Sequence, residues 1–209
     1  MRPRLLIADD HTLVVEGFRR LLEHDFDIVG EVEDGRALLV AAERLKPDVI
    51  LLDIAMPLLN GIDAARQLKR SLPSARLLFI TMHSDPDYVR EAFRAGARGY
   101  ILKRSAASEL ITAINEVMKD RFYITPLVTR EALGPLLDTG VKEKSRLTPR
   151  QREVLQLVSE GRSAKEIGAI LHISKKTVEF HKSAIMEELS LHTTAELTRY
   201  ALEHGLLGR

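Results

Sequence analysis

The chain contains no cysteine and no tryptophan, and only 5% of its residues are aromatic. Without cysteine there are no disulfides and no thiolate metal ligands, which fits a reducing compartment. No apolar run approaches the length of about 18 residues that a membrane-spanning helix needs. The start Met1-Arg2-Pro3-Arg4 also lacks the apolar stretch of a signal peptide, so a cytoplasmic protein with no membrane partner is expected. A net charge of +1 supplies no global field of one sign that would announce a nucleic-acid partner. What remains is an ordinary globular mixture of 45% hydrophobic and 29% charged residues, long enough at 209 residues for one or two domains with separate cores.

Short apolar runs alternate with amphipathic stretches in the first part of the chain. Strands are expected over 4–9, 27–32, 48–53, 76–82 and 99–102, with helices over 11–23, 35–45, 61–71, 87–95 and 105–118. That alternation predicts an α/β doubly wound, five-stranded parallel sheet in a domain spanning 1–121. Pro126, Gly134, Pro135 and Gly140 then punctuate an interdomain linker over 122–144. From 145 to 209 the pattern is helical only, an all-α domain of four helices. Its boundaries are marked by Thr148-Pro149, Glu160-Gly161, Ser163, Ser174, Thr193 or Thr194, and Gly205.

The run Val49-Ile50-Leu51-Leu52 has the length and branching of a buried parallel strand, and it ends on Asp53. Chemistry in open parallel sheets sits at the carboxyl ends of the strands. The other ends carry Asp9-Asp10 after strand one, Thr81 at strand four and Lys103 after strand five. In a flavodoxin-like order 2-1-3-4-5 these ends share one crevice. Three carboxylates so close raise one another's pKa unless a cation holds them, and a hard divalent ion such as Mg²⁺ resolves the conflict. Lys103 and Thr81 offer an ammonium and a hydroxyl to phosphoryl oxygens.

Asp9-Asp10, Asp53-x-x-Met56-Pro57, Gly61, Thr81 and Gly99-Tyr100-x-x-Lys103 together resemble the receiver domain of two-component response regulators. The resemblance implies that Asp53 accepts a phosphoryl group from a sensor histidine kinase. It also implies that Asp10, Asp53 and the Ala55 carbonyl hold Mg²⁺, with Asp9 helping through water. Lys103 would bind the phosphoryl group, Thr81 would move towards it, and Tyr100 would turn inward behind it. Ala55 and His83 would tune hydrolysis. Arg104 departs from the proline that many receivers carry after the lysine.

The centre of the helical domain reads helix, short turn, capped helix, the helix-turn-helix pattern. Over 175–189, Val178, Ile185 and Leu189 share one face, flanked by His181 and Lys182. The opposite face carries Lys176, Glu179, Phe180, Ser183 and Glu187. Lys175, Lys176 and the helix N-terminus are suited to phosphates, Lys182 to the backbone from the flank, and Phe180 to a thymine methyl or to another protein surface. The segments Leu147-Thr148-Pro149-Arg150-Gln151-Arg152-Glu153-Val154-Leu155, Lys165-Glu166-Ile167 and Lys175-Lys176-Thr177-Val178-Glu179-Phe180-His181-Lys182 resemble the LuxR-type helix-turn-helix.

A receiver followed by that domain resembles the NarL/FixJ class, which implies phosphorylation-dependent binding of double-stranded promoter DNA, through dimerisation, through release of the helix-turn-helix from the receiver, or both. The family positions imply DNA contacts from Lys175, Lys176, Thr177, Glu179, Phe180, Lys182 and Ser183. Ala184, Glu187-Glu188 and Ser190 depart from the usual asparagine, basic residues and glycine. From Ser145 onward ten lysines and arginines face eight glutamates, a balance of only +2. One such domain should therefore hold DNA weakly, and a homodimer formed on phosphorylation is expected, with the helix over 194–204 as its contact. Leu197, Tyr200, Ala201 and Leu202 on that helix serve equally as intradomain core. Two other classes fit the residues less well. An aspartyl-nucleophile phosphohydrolase would place a second acid where Ala55 stands, so a metabolic enzyme is not expected. An adaptor that had lost DNA would not need Lys175, Lys176, Thr177 and Lys182.

Overall fold

The computed structural model describes residues 2–128 and 147–207. They form two compact units, one around a sheet and one around the C-terminal helices. The sheet unit runs β1 (Arg4–Ala8), α1 (Thr12–Leu22), β2 (Asp27–Val32), α2 (Gly35–Leu45), β3 (Val49–Leu52), α3 (Gly61–Ser71), β4 (Arg76–Thr81), α4 (Pro86–Ala95), β5 (Ala97–Leu102), a 3₁₀ turn (Lys103–Ser105), α5 (Ala106–Met118) and β6 (Tyr123–Ile124). All pairings are parallel in the order β2-β1-β3-β4-β5-β6.

The expected 2-1-3-4-5 order stands, but the sheet has six strands. Tyr123 and Ile124 pair with Gly99 and Tyr100, so the first residues of the expected linker belong to the sheet edge. A two-residue strand has no periodicity of its own; only β5 beside it defines it. Its continuation beyond residue 128, where the rest of the linker was expected, lies outside the described residues.

Strand alternation sets the two faces. Leu5 and Ile7, Val49 and Leu51, and Leu78 and Ile80 point to one side with Ile101. They pack there against Phe18 and Leu22 of α1 and Leu110, Ile114 and Val117 of α5. Residues one step out of phase, including Leu6, Ile50, Leu52, Phe79 and Tyr100, are also fully buried, on the side covered by α2, α3 and α4. A sheet covered on both faces needs the near-continuous apolar strands seen here. Only the strand ends are left for polar chemistry.

The helical unit comprises α6 (Pro149–Ser159), α7 (Ala164–Leu171), α8 (Lys175–Leu189) and α9 (Thr194–Glu203). Each begins at a hydroxyl cap: Thr148, Ser163, Ser174 and Thr193, with reciprocal capping boxes at α6, α7 and α9. Val154, Leu155, Val158, Ile167, Leu171, Val178, Ile185, Leu197 and Ala201 form its core. Truncating a fully buried member such as Ile167 costs about 2–5 kcal/mol, much of a small domain's stability.

Candidate functional site

Four strands deliver the first site. Asp9 follows β1, Asp53 follows β3, Thr81 ends β4 and Lys103 follows β5. Asp53 is held at its backbone by an N–H bond to Ala8 O of 2.9 Å, so the neighbouring strand fixes its place. Its Oδ1 accepts the Ile54 amide at 2.6 Å. Lys103 Nζ lies 2.7 Å from Asp53 Oδ2 and 2.7 Å from Asp9 Oδ2. One ammonium thus bridges two nearly buried carboxylates. Burial pushes the Asp9 carboxyl above the usual carboxylate range, with the Asp53 charge adding and Lys103 opposing. Burial alone would lower Lys103, but Asp53 and Asp9 outweigh it and hold the ammonium above its ordinary value.

Asp10 is more open and lies with Asp9 and Asp53 around a common centre. Their carboxylates and the His11 ring offer donor atoms within 4.8 Å of one another. His11 was not anticipated as part of the site. Its Nδ1 stands 3.1 Å from Asp9 Oδ1 and 2.8 Å from Asp10 Oδ1, and its backbone N–H donates to Asp9 Oδ1 at 3.0 Å. The signal was legible in the run Asp9-Asp10-His11: an imidazole directly after two site carboxylates is placed to touch them.

The loop after β3 closes over Asp53 because Gly61 has no side chain. A Cβ there would lie 1.9 Å from the Asp53 carbonyl oxygen. The Gly61 amide donates instead to Ile54 O at 2.8 Å, and α3 starts immediately. Thr81 and Tyr100, both fully buried, meet at a single residue. Thr81 Oγ1 accepts the His83 amide at 3.3 Å, and the Tyr100 hydroxyl donates to the His83 carbonyl at 2.8 Å. Burial pushes the Tyr100 phenol well up, so it stays a donor. The His83 ring packs on Tyr88 of α4 at 4.3 Å. Any movement of the β4–α4 loop is therefore felt by the hydroxyls of both Thr81 and Tyr100. Arg104, in the 3₁₀ turn, sits where the sequence left the local geometry open; peptide bonds are trans throughout the described residues. A cleft of about 590 Å³ lined by Arg2, Arg4, Arg19, Glu23, Phe26, Asp27 and Ile28 opens at the amino-terminal end of β1 and β2, and none of the site residues lines it.

The second candidate surface is the outer face of α8. Its start is set by Ser174, whose Oγ accepts the Thr177 amide at 3.1 Å and contacts the Thr177 hydroxyl at 2.8 Å. Thr177 is thus engaged in the cap. The turn before it needs Gly168, where a Cβ would lie 2.7 Å from Ile173 O. Val178 and Ile185 face the core, while Lys175, Lys176, Glu179, Phe180, Ser183 and Glu187 are exposed. Phe180 is 70% exposed. Lys175 stands 3.5 Å from Glu179, and Lys182 Nζ donates to Thr194 Oγ1 at 2.9 Å, joining α8 to the start of α9. On α9, Leu197 and Ala201 are core, Tyr200 is partly buried, and Leu202 remains 40% exposed.

A doubly wound sheet with an acidic, lysine-bridged cleft at its carboxyl edge, followed in the chain by a capped helix-turn-helix, is the architecture of a receiver and its output domain. The model of the response regulator receiver domain matches residues 5–115, and that of the bacterial regulatory proteins of the luxR family matches residues 145–201. The chain is 36% identical to the transcriptional regulatory protein MctR of Rhizobium johnstonii, covering 99% of this chain and 96% of that protein. It is 35% identical to the transcriptional regulatory protein DegU of Brevibacillus brevis, covering 97% and 94%. Its structure is similar to that of RcsB from Salmonella enterica serovar Typhimurium bound to promoter P1flhDC in the presence of the phosphomimetic BeF3-, with a TM-score of 0.62 and 29% identity over 96% of this chain and 98% of that one. This chain belongs to the response regulators that combine a receiver with a luxR-family helix-turn-helix, the phosphorylation-dependent DNA-binding transcription regulators. No helix among the described residues is long and apolar enough to cross a membrane.

Proposed function

We propose that Asp53 is the phosphoacceptor and that its modification switches DNA binding by α8. The observation that carries this reading is the Lys103 ammonium shared at 2.7 Å between Asp53 and Asp9, at the carboxyl ends of three strands. A carboxylate placed for transfer needs a fixed position and a cation ready for the incoming oxygens, and both are present. An Asp53 oxygen bonds to phosphorus as the bond from phosphorus to the kinase's histidine nitrogen breaks, and the electron pair returns to that imidazole. Lys103 then follows the new phosphoryl oxygens, Thr81 offers them its hydroxyl, and the His83 backbone carries that movement to Tyr100. His83 also bears on the lifetime of the phosphoryl group through its place beside Thr81.

The donor set fits a hard divalent cation, since three carboxylates converge while a single lysine serves two of them. Asp10, Asp53 and the Ala55 carbonyl would hold Mg²⁺, with Asp9 acting through water. When bound, Mg²⁺ neutralises charge on the phosphoryl oxygens. The modified receiver, an aspartyl phosphate with roughly two negative charges, favours a homodimer, and the pair presents two α8 helices to a two-fold symmetric promoter site. On α8, Lys175 and Lys176 hold phosphates, Glu179, Phe180 and Ser183 face the bases, and Lys182 and Thr177 set the helix at the backbone. The setting is the cytoplasm. RcsB has been captured on promoter DNA with a phosphomimetic, which supports the same division of labour in this chain.

The test uses the full chain, a small-molecule phosphodonor and Mg²⁺, with phosphoprotein followed by mass spectrometry and DNA binding by gel shift. Phosphorylation that raises DNA affinity and is lost in Asp53→Asn is expected. Undiminished phosphorylation of Asp53→Asn would remove the assignment.

A further inference from the structure

The outer face of α8 carries two carboxylates, Glu179 and Glu187, that do not suit a polyanion. Glu179 lies in the middle of that face, between Lys176 and Ser183 and beside Phe180. Phosphates line both rims of the major groove, so a carboxylate entering it costs affinity unless it finds a donor there. Two base edges offer one, the N4 amino group of cytosine and the N6 amino group of adenine. Adenine places the N7 acceptor beside its donor, which repels a carboxylate, whereas the cytosine ring presents its donor without one.

The present partner of Glu179 does not prevent this. Lys175 lies 3.5 Å away, and the two side chains are 68% and 56% exposed. A pair so open to water contributes little and exchanges readily, which frees Lys175 for a phosphate at the helix start. Glu187 and Glu188 are poorer candidates. They lie in the last turn, about 12 Å farther along the axis at about 1.5 Å per residue, away from the end that enters a groove. Phe180 is the next residue, turned by about 100° around the helix, and its exposed ring suits the methyl of a thymine near the base that Glu179 meets.

We infer that Glu179 is a specificity-determining residue that accepts the amino group of a cytosine in each half-site, with Phe180 against a neighbouring thymine methyl. The inference rests on the reading of α8 as a major-groove helix. Sites are selected from random double-stranded DNA by the phosphorylated full chain and by Glu179→Gln, then compared by competition binding at two salt concentrations. The wild type is expected to enrich cytosine at one position per half-site and to lose about fivefold or more in affinity when that pair is changed. Glu179→Gln is expected to shift the position towards adenine, which a carboxamide grips at both N6 and N7. It is also expected to bind unrelated DNA more tightly, because a negative charge has left the groove. Lys175→Met breaks the ion pair but keeps the carboxylate, and so should keep the cytosine preference. Enrichment of the same base by wild type and Glu179→Gln overturns the inference while leaving DNA binding standing. Failure of both proteins to bind any DNA in a salt-sensitive way overturns the DNA reading and the inference with it.

Discussion

The cleft at Asp53 and the outer face of α8 are made from similar side chains, carboxylates, lysines and hydroxyls, yet one is buried and the other open. Asp9, Asp53 and Thr81 are nearly or wholly inaccessible and come from three strands. Lys176, Glu179 and Ser183 are exposed and come from one helix. The difference follows from what each must recognise. A small anion in covalent chemistry needs few groups, strongly coupled and dry, where charges act at low dielectric. A long polyanion needs many groups, each weak, spread along a surface it can lie against. Coupling in the first surface and independence in the second make different demands on substitutions.

The largest effect should come from breaking the dry site's packing. Gly61→Ala places a Cβ against the Asp53 carbonyl and should destabilise the sheet unit by about 3 kcal/mol, seen as a lower denaturation midpoint. If the midpoint is unchanged, the loop over Asp53 is more yielding than the contact implies. Next in size is Tyr100→Phe, which removes the bond to His83 O. A loss of about 1 kcal/mol is expected, with Asp53 still accepting phosphate but DNA affinity responding less to it. An unaltered response would show that Tyr100 carries no signal.

A smaller, independent effect is expected on the open surface. Lys176→Ala should weaken all DNA sequences alike and reduce the slope of log affinity against log salt by about 1, with phosphorylation untouched. An unchanged slope would mean Lys176 meets no phosphate.

The smallest effects are those of pH, at the acid end for the caps of α7 and α9 and at the alkaline end for Lys103. The Ser163 hydroxyl and amide hold Glu166 below the usual carboxylate range, and the amides of His192 and Thr193 do the same for Glu196. Their contribution is complete above the ordinary value of 4.5 and is lost as pH falls through the lower folded values. Lys103 is raised, so its contribution is complete below the ordinary value of 10.5 and is lost as pH climbs through the higher folded one. Amide exchange across a pH series should show α7 and α9 loosening first in acid and the carboxyl ends of β3 and β5 loosening first in alkali. The reverse order would contradict the assignment of these ion pairs and caps.

Legibility in the sequence divides along the same line as the two surfaces. The bounds of α7 and α8 could be read in advance because Ser163 and Ser174 cap their helices through bonds to residues only three positions away. The exposed face of α8 was equally legible, since helical period alone sorts Val178 and Ile185 from Glu179 and Phe180. For the sheet, the strand-end residues were visible but their meeting depended on strand order. The start of β5 was read two residues late, because Ala97 and Arg98 show strand character only through pairing beside β4. Whether α9 spends Leu197 and Ala201 inside or outside its own unit could not be read either; the surrounding core decides it.

The sequence by itself therefore determined the helices and most of the strands, the caps, the acidic and basic residues available and the helix face open to a groove. All of these depend on neighbours within a turn or two of the chain. Tertiary structure alone decided that Lys103 bridges Asp9 and Asp53, that Thr81 and Tyr100 converge on His83, and that Tyr123 and Ile124 close the sheet. Those contacts join groups far apart in the chain or set by the path of a loop, and only the packing of strands and helices brings such groups within hydrogen-bond reach.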